Sequence, residues 1–332
     1  MNNIFARVLF PVFPLVVAAI FTVFGIQTSA AAIATMVFNS VCGALTGLFV
    51  YEIGKLVCSE KAGFFAGLMW AFSPYLAVLP CLLWDTSLSA LSLSAALWLT
   101  LKLQSEKAAP WIGCGALWGF VGLVNPALVA PFPLIALSRI RTSKWKHLIV
   151  TGATALLVVT PWTIRNYRAF HRLIPIRSNG LTELYFTNVS FATHPLGPTM
   201  EYQRLGEPAF TEQTSRLAIA YVRDHPRAFI LRSLRRSLLF WIYPSNSWLL
   251  VVLIDIAALV GILMLFRNSW IVAAALLSVL ALYPLTYYVT LVFSRFRHPI
   301  EPVLYVLAGI TLTTISPERA AGQTVQQTLE RK

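Results

Sequence analysis

Apolar residues run in long blocks along this chain, and polar residues are confined to short breaks between them. The blocks cover approximately 8–24, 30–53, 62–83, 86–103, 111–124, 126–138, 147–163, 247–266, 270–292 and 299–315. A helix crosses a hydrocarbon core with about 20 apolar residues, so these blocks predict membrane-spanning helices. One long polar stretch, 164–246, interrupts them. The pattern predicts an all-α, polytopic transmembrane helix bundle with a small extracytoplasmic insertion of helices and irregular chain. Its parts are N-terminal membrane helices over 1–163, the insertion over 164–246, C-terminal membrane helices over 247–315 and a cytoplasmic tail over 316–332.

Within the insertion, "HRLIPIRSNGLTELYFTN" is aromatic and turn-rich, with Asn179-Gly180 as a turn signal. "TEQTSRLAIAYVR" has helical apolar spacing. Asp224 and Pro226 then start a second helix, "RAFILRSLRRSLLFWIY", with arginines on one face and Phe, Leu and Trp on the other. Such a helix belongs at a membrane interface.

Composition agrees with this reading. Of 332 residues, 57% are hydrophobic and 12% charged, against about 25% charged in soluble chains. Cys42, Cys58, Cys81 and Cys114 form no CxxC pair and have no zinc-like spacing to histidine, so they read as small apolar fillers; no metal or cofactor is expected. The net charge of +13 points to topology and anionic lipid in a membrane chain, and not to nucleic acid.

Orientation follows from the short basic loops. Lys55 and Lys61, Lys102 and Lys107, and the group Arg139, Arg141, Lys144 and Lys146 all reach the cytoplasm if Trp111–Ser138 turns back at Asn125-Pro126. One kinked helix over the same residues would reverse everything downstream. With the hairpin, all seven lysines are cytoplasmic and every outward basic residue is arginine, whose planar fork suits phosphate oxygens.

Few polar groups then lie on the outer surface. Asp85 sits in the turn "LLWDTSLS". Arg165, Asn166, Tyr167 and Arg168 leave one span, and Arg295, Arg297, His298 and Glu301 precede the last. A headgroup phosphate at that depth would meet Arg165, Arg295, Arg297 and His298, with Asn166, Tyr167 and Glu301 as further substrate contacts. Asp85 could accept the proton of an attacking hydroxyl. Each has a plainer use: Asp85 as a helix N-cap, Arg165 and Arg168 as headgroup anchors, Glu301 as an ion-pair partner. Asp255, inside a span, is a functional candidate or a partner for Ser or Trp on a neighbouring helix.

The segments "PWTIRNYRAFHRLIPIRSNG", "YVRDHPRAFILRSLRRSLLFW" and "YPLTYYVTLVFSRFRHPIEP" resemble GT-C type glycosyltransferases, the class that includes protein O-mannosyltransferases and the aminoarabinose transferases of lipid A. Weaker similarity runs through "ALTGLFVYEIGKL", "LLWDTSLSALSL" and "LVNPALVAPFPLIAL". The resemblance implies an inverting transferase in the cell's inner (plasma) membrane. It would take a polyprenyl-phosphate-linked sugar and pass it to an acceptor on the extracytoplasmic face. The family's principal base is an aspartate in a large first external loop. No Asp or Glu precedes Glu52 here, and Asp85 resembles a further acidic position of the family. The expectation is therefore a chain that shows little or no transfer by itself. Two alternatives stay open: a non-catalytic relative that binds lipid phosphate, and a transporter or flippase of lipid-linked sugar.

Overall fold

The computed structural model describes residues 11–138, 145–177, 179–190, 199–242 and 248–315. Among these every regular element is a helix. In chain order they are α1 (Val12–Phe24), α2 (Ser29–Val57), α3 (Glu60–Ala71), α4 (Pro74–Val78), α5 (Thr86–Lys102), α6 (Ala108–Val124), α7 (Phe132–Leu137) and α8 (Trp145–Phe170). There follow α9 (Gly180–Tyr185), α10 (Thr199–Asp224), α11 (Pro226–Trp241), α12 (Trp248–Asn268), α13 (Trp270–Leu282), α14 (Leu285–Val289) and α15 (Glu301–Ile315). The expected all-α bundle is observed. α2, α8, α12 and the run Trp270–Val289 are long and apolar enough to cross a membrane. On α12, Leu249, Leu253, Ile256, Val260 and Leu263 recur three or four residues apart and are all exposed. This is the surface of a helix whose outer face meets lipid.

The apolar block 62–83 is not one helix. α3 ends at Ala71, and Pro74 and Pro80 open a five-residue helix and a 3₁₀ turn. Proline lacks the N–H that a continuing helix needs. Pro284 divides 270–292 in the same way.

α15 is the hub. Val303 to Leu307 are all buried, as expected of a helix wrapped by others. It runs antiparallel to α3: Gly309 lies against Ala62 and Ala66, while the Tyr305 ring meets the Trp70 ring at 5.8 Å. It runs parallel to α12, because Arg297 meets Asp255, and Thr311 further along donates to the Ala257 carbonyl at 2.6 Å.

The pairing of α6 with α8 decides between the hairpin and the single kinked helix. A β-carbon at Gly115 would lie 2.3 Å from the Thr151 carbonyl oxygen, and one at Gly119 would lie 2.7 Å from that of Ala155. Small residues four apart allow this close crossing. The contacts advance together along both helices, so α6 and α8 are parallel. The His147 ring stacks on Trp111 at 5.3 Å where both begin. The chain between them must therefore return across the bundle, as the hairpin requires. It does so without one continuous helix: Asn125 Oδ1 accepts from the Ala127 N–H at 3.1 Å and starts a 3₁₀ turn ahead of α7. Arg139, Arg141 and Lys144 of the basic loop, and the tail 316–332, lie outside the described residues.

α2 and α5 are also parallel, with the Phe49 and Trp98 rings 5.5 Å apart. Lys55, Lys61, Lys102, Lys107 and Lys146 thus gather at one end of the bundle. Asp85, Asn125, Asn166 and Arg295 gather at the other.

Candidate functional site

The lysine-free end is assembled from turns held by buried polar side chains. Asn39, inside α2, donates to the carbonyls of Pro80 at 3.3 Å and Leu82 at 3.0 Å. That fixes the turn carrying Trp84 and Asp85. Asp85 stands at the N-cap position of α5, yet its side chain makes no capping bond to the backbone there. Instead Oδ2 accepts from the Ser89 hydroxyl at 3.3 Å. The capping role that its position suggests is not the one it adopts.

Arg295 is held by rings. Its guanidinium lies 3.4 Å from the Trp84 ring centroid, with Phe293 at 4.9 Å and Phe296 at 5.0 Å. Seated on Trp84, it stands beside the next residue, Asp85. Aromatic faces attract a cation without saturating its N–H donors, so the guanidinium retains hydrogen-bonding capacity.

A second arginine arrives by another route. Trp162 Nε1 donates to the Ile176 carbonyl at 3.1 Å, Thr163 to that of Pro175 at 2.9 Å, and Asn166 to that of Ile174 at 3.0 Å. Three side chains at the end of α8 thus pin residues 174–176 against the helix. The next residue, Arg177, is braced by Asn179 and Glu183, which are joined to each other at 2.9 Å.

Electrostatics joins the pieces. Burial pushes the Asp85 carboxyl up from its ordinary value. Its own backbone N–H, the Ser89 hydroxyl and the charges of Arg177 and Arg295 pull it back. Burial draws Arg295 down, and Asp85 opposes that shift. Beneath them Tyr283 donates to Tyr287 at 3.1 Å and Asn125 donates to the same hydroxyl at 3.5 Å. A carboxylate made more basic by burial is a better proton acceptor near neutral pH, and guanidinium groups whose charge reaches it can stabilise an oxyanion.

The rest of the late basic motif behaves differently. Arg297, His298 and Glu301, expected to face a ligand, are each no more than 3% exposed. Arg297 grips Asp255 with two bonds, at 2.8 and 2.5 Å, donates to the Trp241 carbonyl at 2.9 Å and lies 3.8 Å from Glu301. His298 Nδ1 pairs with Glu301 at 2.9 Å, and its ring stacks on Trp70 at 5.2 Å. Buried charges must be paired, and here they are paired within the bundle. Asp255, read from sequence as a functional candidate or a partner for Ser or Trp, thus has an arginine partner.

Asn166, expected at a substrate, is buried and spends its amide on the pinned strap. Arg165 lies over the Trp162 and Phe170 rings, 4.9 and 5.5 Å away, and donates to Asn166. Tyr167 is exposed beside them. Arg177, Tyr283, Tyr287 and Asn125 were not identified from sequence. For Arg177 the available signal was an arginine directly after "IPI", a short strap following "PWTIRN". Among the described residues no group of three or more His, Cys, Asp or Glu side chains is placed to hold a metal ion.

Residues 10–164 match the family described as dolichyl-phosphate-mannose-protein mannosyltransferase. No curated protein sequence matches the chain. Among solved structures, it is similar to ArnT from Cupriavidus metallidurans in the apo state, with TM-score 0.52, 14% identity, and 96% of this chain on 51% of that one. The same protein bound to undecaprenyl phosphate gives TM-score 0.50 and 14% identity over 96% of this chain and 52% of that one. The archaeal oligosaccharyltransferase AglB from Archaeoglobus fulgidus, in complex with an inhibitory peptide and a dolichol-phosphate, gives TM-score 0.56 and 16% identity over 96% of this chain and 43% of that one. The chain thus spans about half the length of the solved proteins it matches, and at these identities the likeness is one of fold.

Proposed function

We propose that this chain is a GT-C type membrane glycosyltransferase, a reading supported by its fold and by the family pattern over residues 10–164, and that it binds a polyprenyl-phosphate-linked sugar at the Asp85 end of the bundle. Arg295 and Arg177 take the phosphate oxygens. Asp85 accepts the proton of an acceptor hydroxyl as that oxygen bonds to the anomeric carbon. The bond from that carbon to the phosphate oxygen breaks, and its electron pair leaves on a phosphate stabilised by the two arginines. This end faces the extracytoplasmic side, with residues 164–246, while the lysine end faces the cytoplasm.

The observation that carries the reading is the turn that seats Arg295 on the Trp84 ring beside Asp85, with the charge of Arg177, on the strap pinned to α8, also acting on that carboxyl. The solved relatives named with undecaprenyl phosphate and dolichol-phosphate support the same ligand class. The test is binding of undecaprenyl phosphate by the chain in nanodiscs. Changing Arg295 or Arg177 to Gln should weaken binding about tenfold or more, the scale of one hydrogen bond to a charged group. Unchanged affinity in both variants overturns the site. Labelling of a cysteine at position 204 only after cells are permeabilised overturns the orientation.

A further inference from the structure

α11 has two faces with different partners. The inward face carries Arg232, Arg236 and the buried Phe240. Arg236 donates to the carbonyls of Val289 at 3.0 Å and Thr187 at 2.9 Å, and Arg232 donates to that of Asn188 at 2.6 Å. At the end of the helix Trp241 donates to the Tyr288 hydroxyl at 2.7 Å, and its carbonyl accepts from Arg297. The helix therefore holds both ends of the loop from Val289 to Arg297, the loop on which Arg295 sits.

The outward face is apolar and cationic. Ile230, Leu231, Leu234 and Leu238 are 54–67% exposed. Arg227 and Arg235, both exposed, each lie four residues from Leu231 on the same side. α11 contains no Asp or Glu, so nothing on the helix balances these charges.

The level of this face is set by the chain. Ile242, at the end of α11, is separated from Trp248, at the start of the membrane helix α12, by five residues. A linker of that length spans about 20 Å at most, so the C-terminal end of α11 cannot lie far above the bilayer. Leucines at that depth with arginines beside them suit lipid tails below and lipid phosphates above.

We propose that the outward face of α11 is a binding surface for anionic phospholipid, with Ile230, Leu231, Leu234 and Leu238 in the leaflet at which α12 begins and Arg227 and Arg235 on lipid phosphates. The inward face then ties the loop of Arg295 to that leaflet. This second statement rests on the donor site proposed above; the first does not.

The experiment places a fluorophore at Leu234→Cys after replacing the exposed Cys81 and half-buried Cys58; Cys42 and Cys114 are buried and stay. The protein is held in phosphatidylcholine nanodiscs doped with equal fractions of headgroup-region spin-labelled phosphatidylglycerol or phosphatidylcholine. Quenching by both lipids, and local enrichment of phosphatidylglycerol by about fivefold, is expected for arginines near a lipid surface. The enrichment should vanish in Arg227→Gln/Arg235→Gln while quenching by phosphatidylcholine persists, which also reports that the helix remains folded and seated. Quenching by aqueous iodide and not by either lipid overturns the proposal, as does equal quenching by the two lipids in the parent. Loss of lipid quenching on self-association would assign the face to a second copy of the chain and also overturns it. None of these readings involves the donor, so failure here is distinguishable from failure of the donor site.

Discussion

Arg295 and Arg297 are two residues apart on one short loop and have opposite circumstances. Arg295 rests on aromatic faces beside a single carboxylate. Arg297 is enclosed, with Asp255 on its fork, Glu301 beside it and the Trp241 carbonyl accepting from it. The 3₁₀ turns over 294–300 direct neighbouring side chains to different sides of the loop. One arginine is thereby presented, and the other becomes part of the frame that holds the loop. Identical chemistry in a motif does not imply identical use; the deciding variable is whether counter-charges are already in place.

The largest expected effect tests the frame. Arg297→Gln should cost about 3–5 kcal/mol, because it leaves buried carboxylates without their cation. Thermal unfolding in detergent would show this as a large fall in midpoint, with most of it recovered in Arg297→Gln/Asp255→Asn. A single variant as stable as the parent would erase the distinction between the two arginines.

A smaller effect is expected at the strap. Asn166→Ala removes the donor to the Ile174 and Ile176 carbonyls and should cost about 1–3 kcal/mol. Hydrogen exchange at 174–177 should rise, and undecaprenyl phosphate should bind less tightly than to the parent but more tightly than to Arg177→Gln. Binding as weak as in Arg177→Gln, with exchange unchanged, would make Asn166 a ligand contact and not a support.

The smallest effect is a pH dependence at Asp85. Its folded carboxyl is raised above the ordinary 3.8, chiefly by burial. The folded state therefore favours the protonated form, and that stability is present below the ordinary value and lost as pH rises through the raised one. Asp85→Asn has no such loss. The thermal midpoint of the parent, compared with that of Asp85→Asn, should fall as pH is raised across that window. A gap between the two that does not change with pH would mean that the two arginines offset the burial in full.

The division between what sequence does and does not reveal follows the same physics. Long apolar blocks gave α2, α8 and α12, because a bilayer imposes length and composition on a single segment. The lysine distribution predicted the hairpin that the parallel pairing of α6 with α8 requires. Asp85 and Arg295 were legible as charges next to apolar runs, and the structure brings them to the same end of the bundle. Arg297, Glu301 and His298 look the same in sequence, and only the arrival of Asp255 from a helix 42 residues upstream changes their role. Arg177 was hidden for the converse reason. Its position depends on three side chains of α8 that bind carbonyls, which no residue pattern displays. Prolines at 74, 80 and 284 were visible, but hydropathy alone ran the blocks through them.

The pairing of Asp255 with Arg297 also bears on how the chain is made. A carboxylate near the centre of a membrane helix costs about 2.5–3.5 kcal/mol on insertion scales, and the cost falls toward the helix ends. Asp255, eighth in α12, lies about 10 Å from the start of that helix. Synthesis proceeds from the N-terminus, so α12 is complete before its counter-ion exists. α13, α14 and the loop must all follow before residue 297 emerges from the ribosome. The upper end of α12 therefore reaches its final electrostatic environment only when the last membrane helix begins to enter.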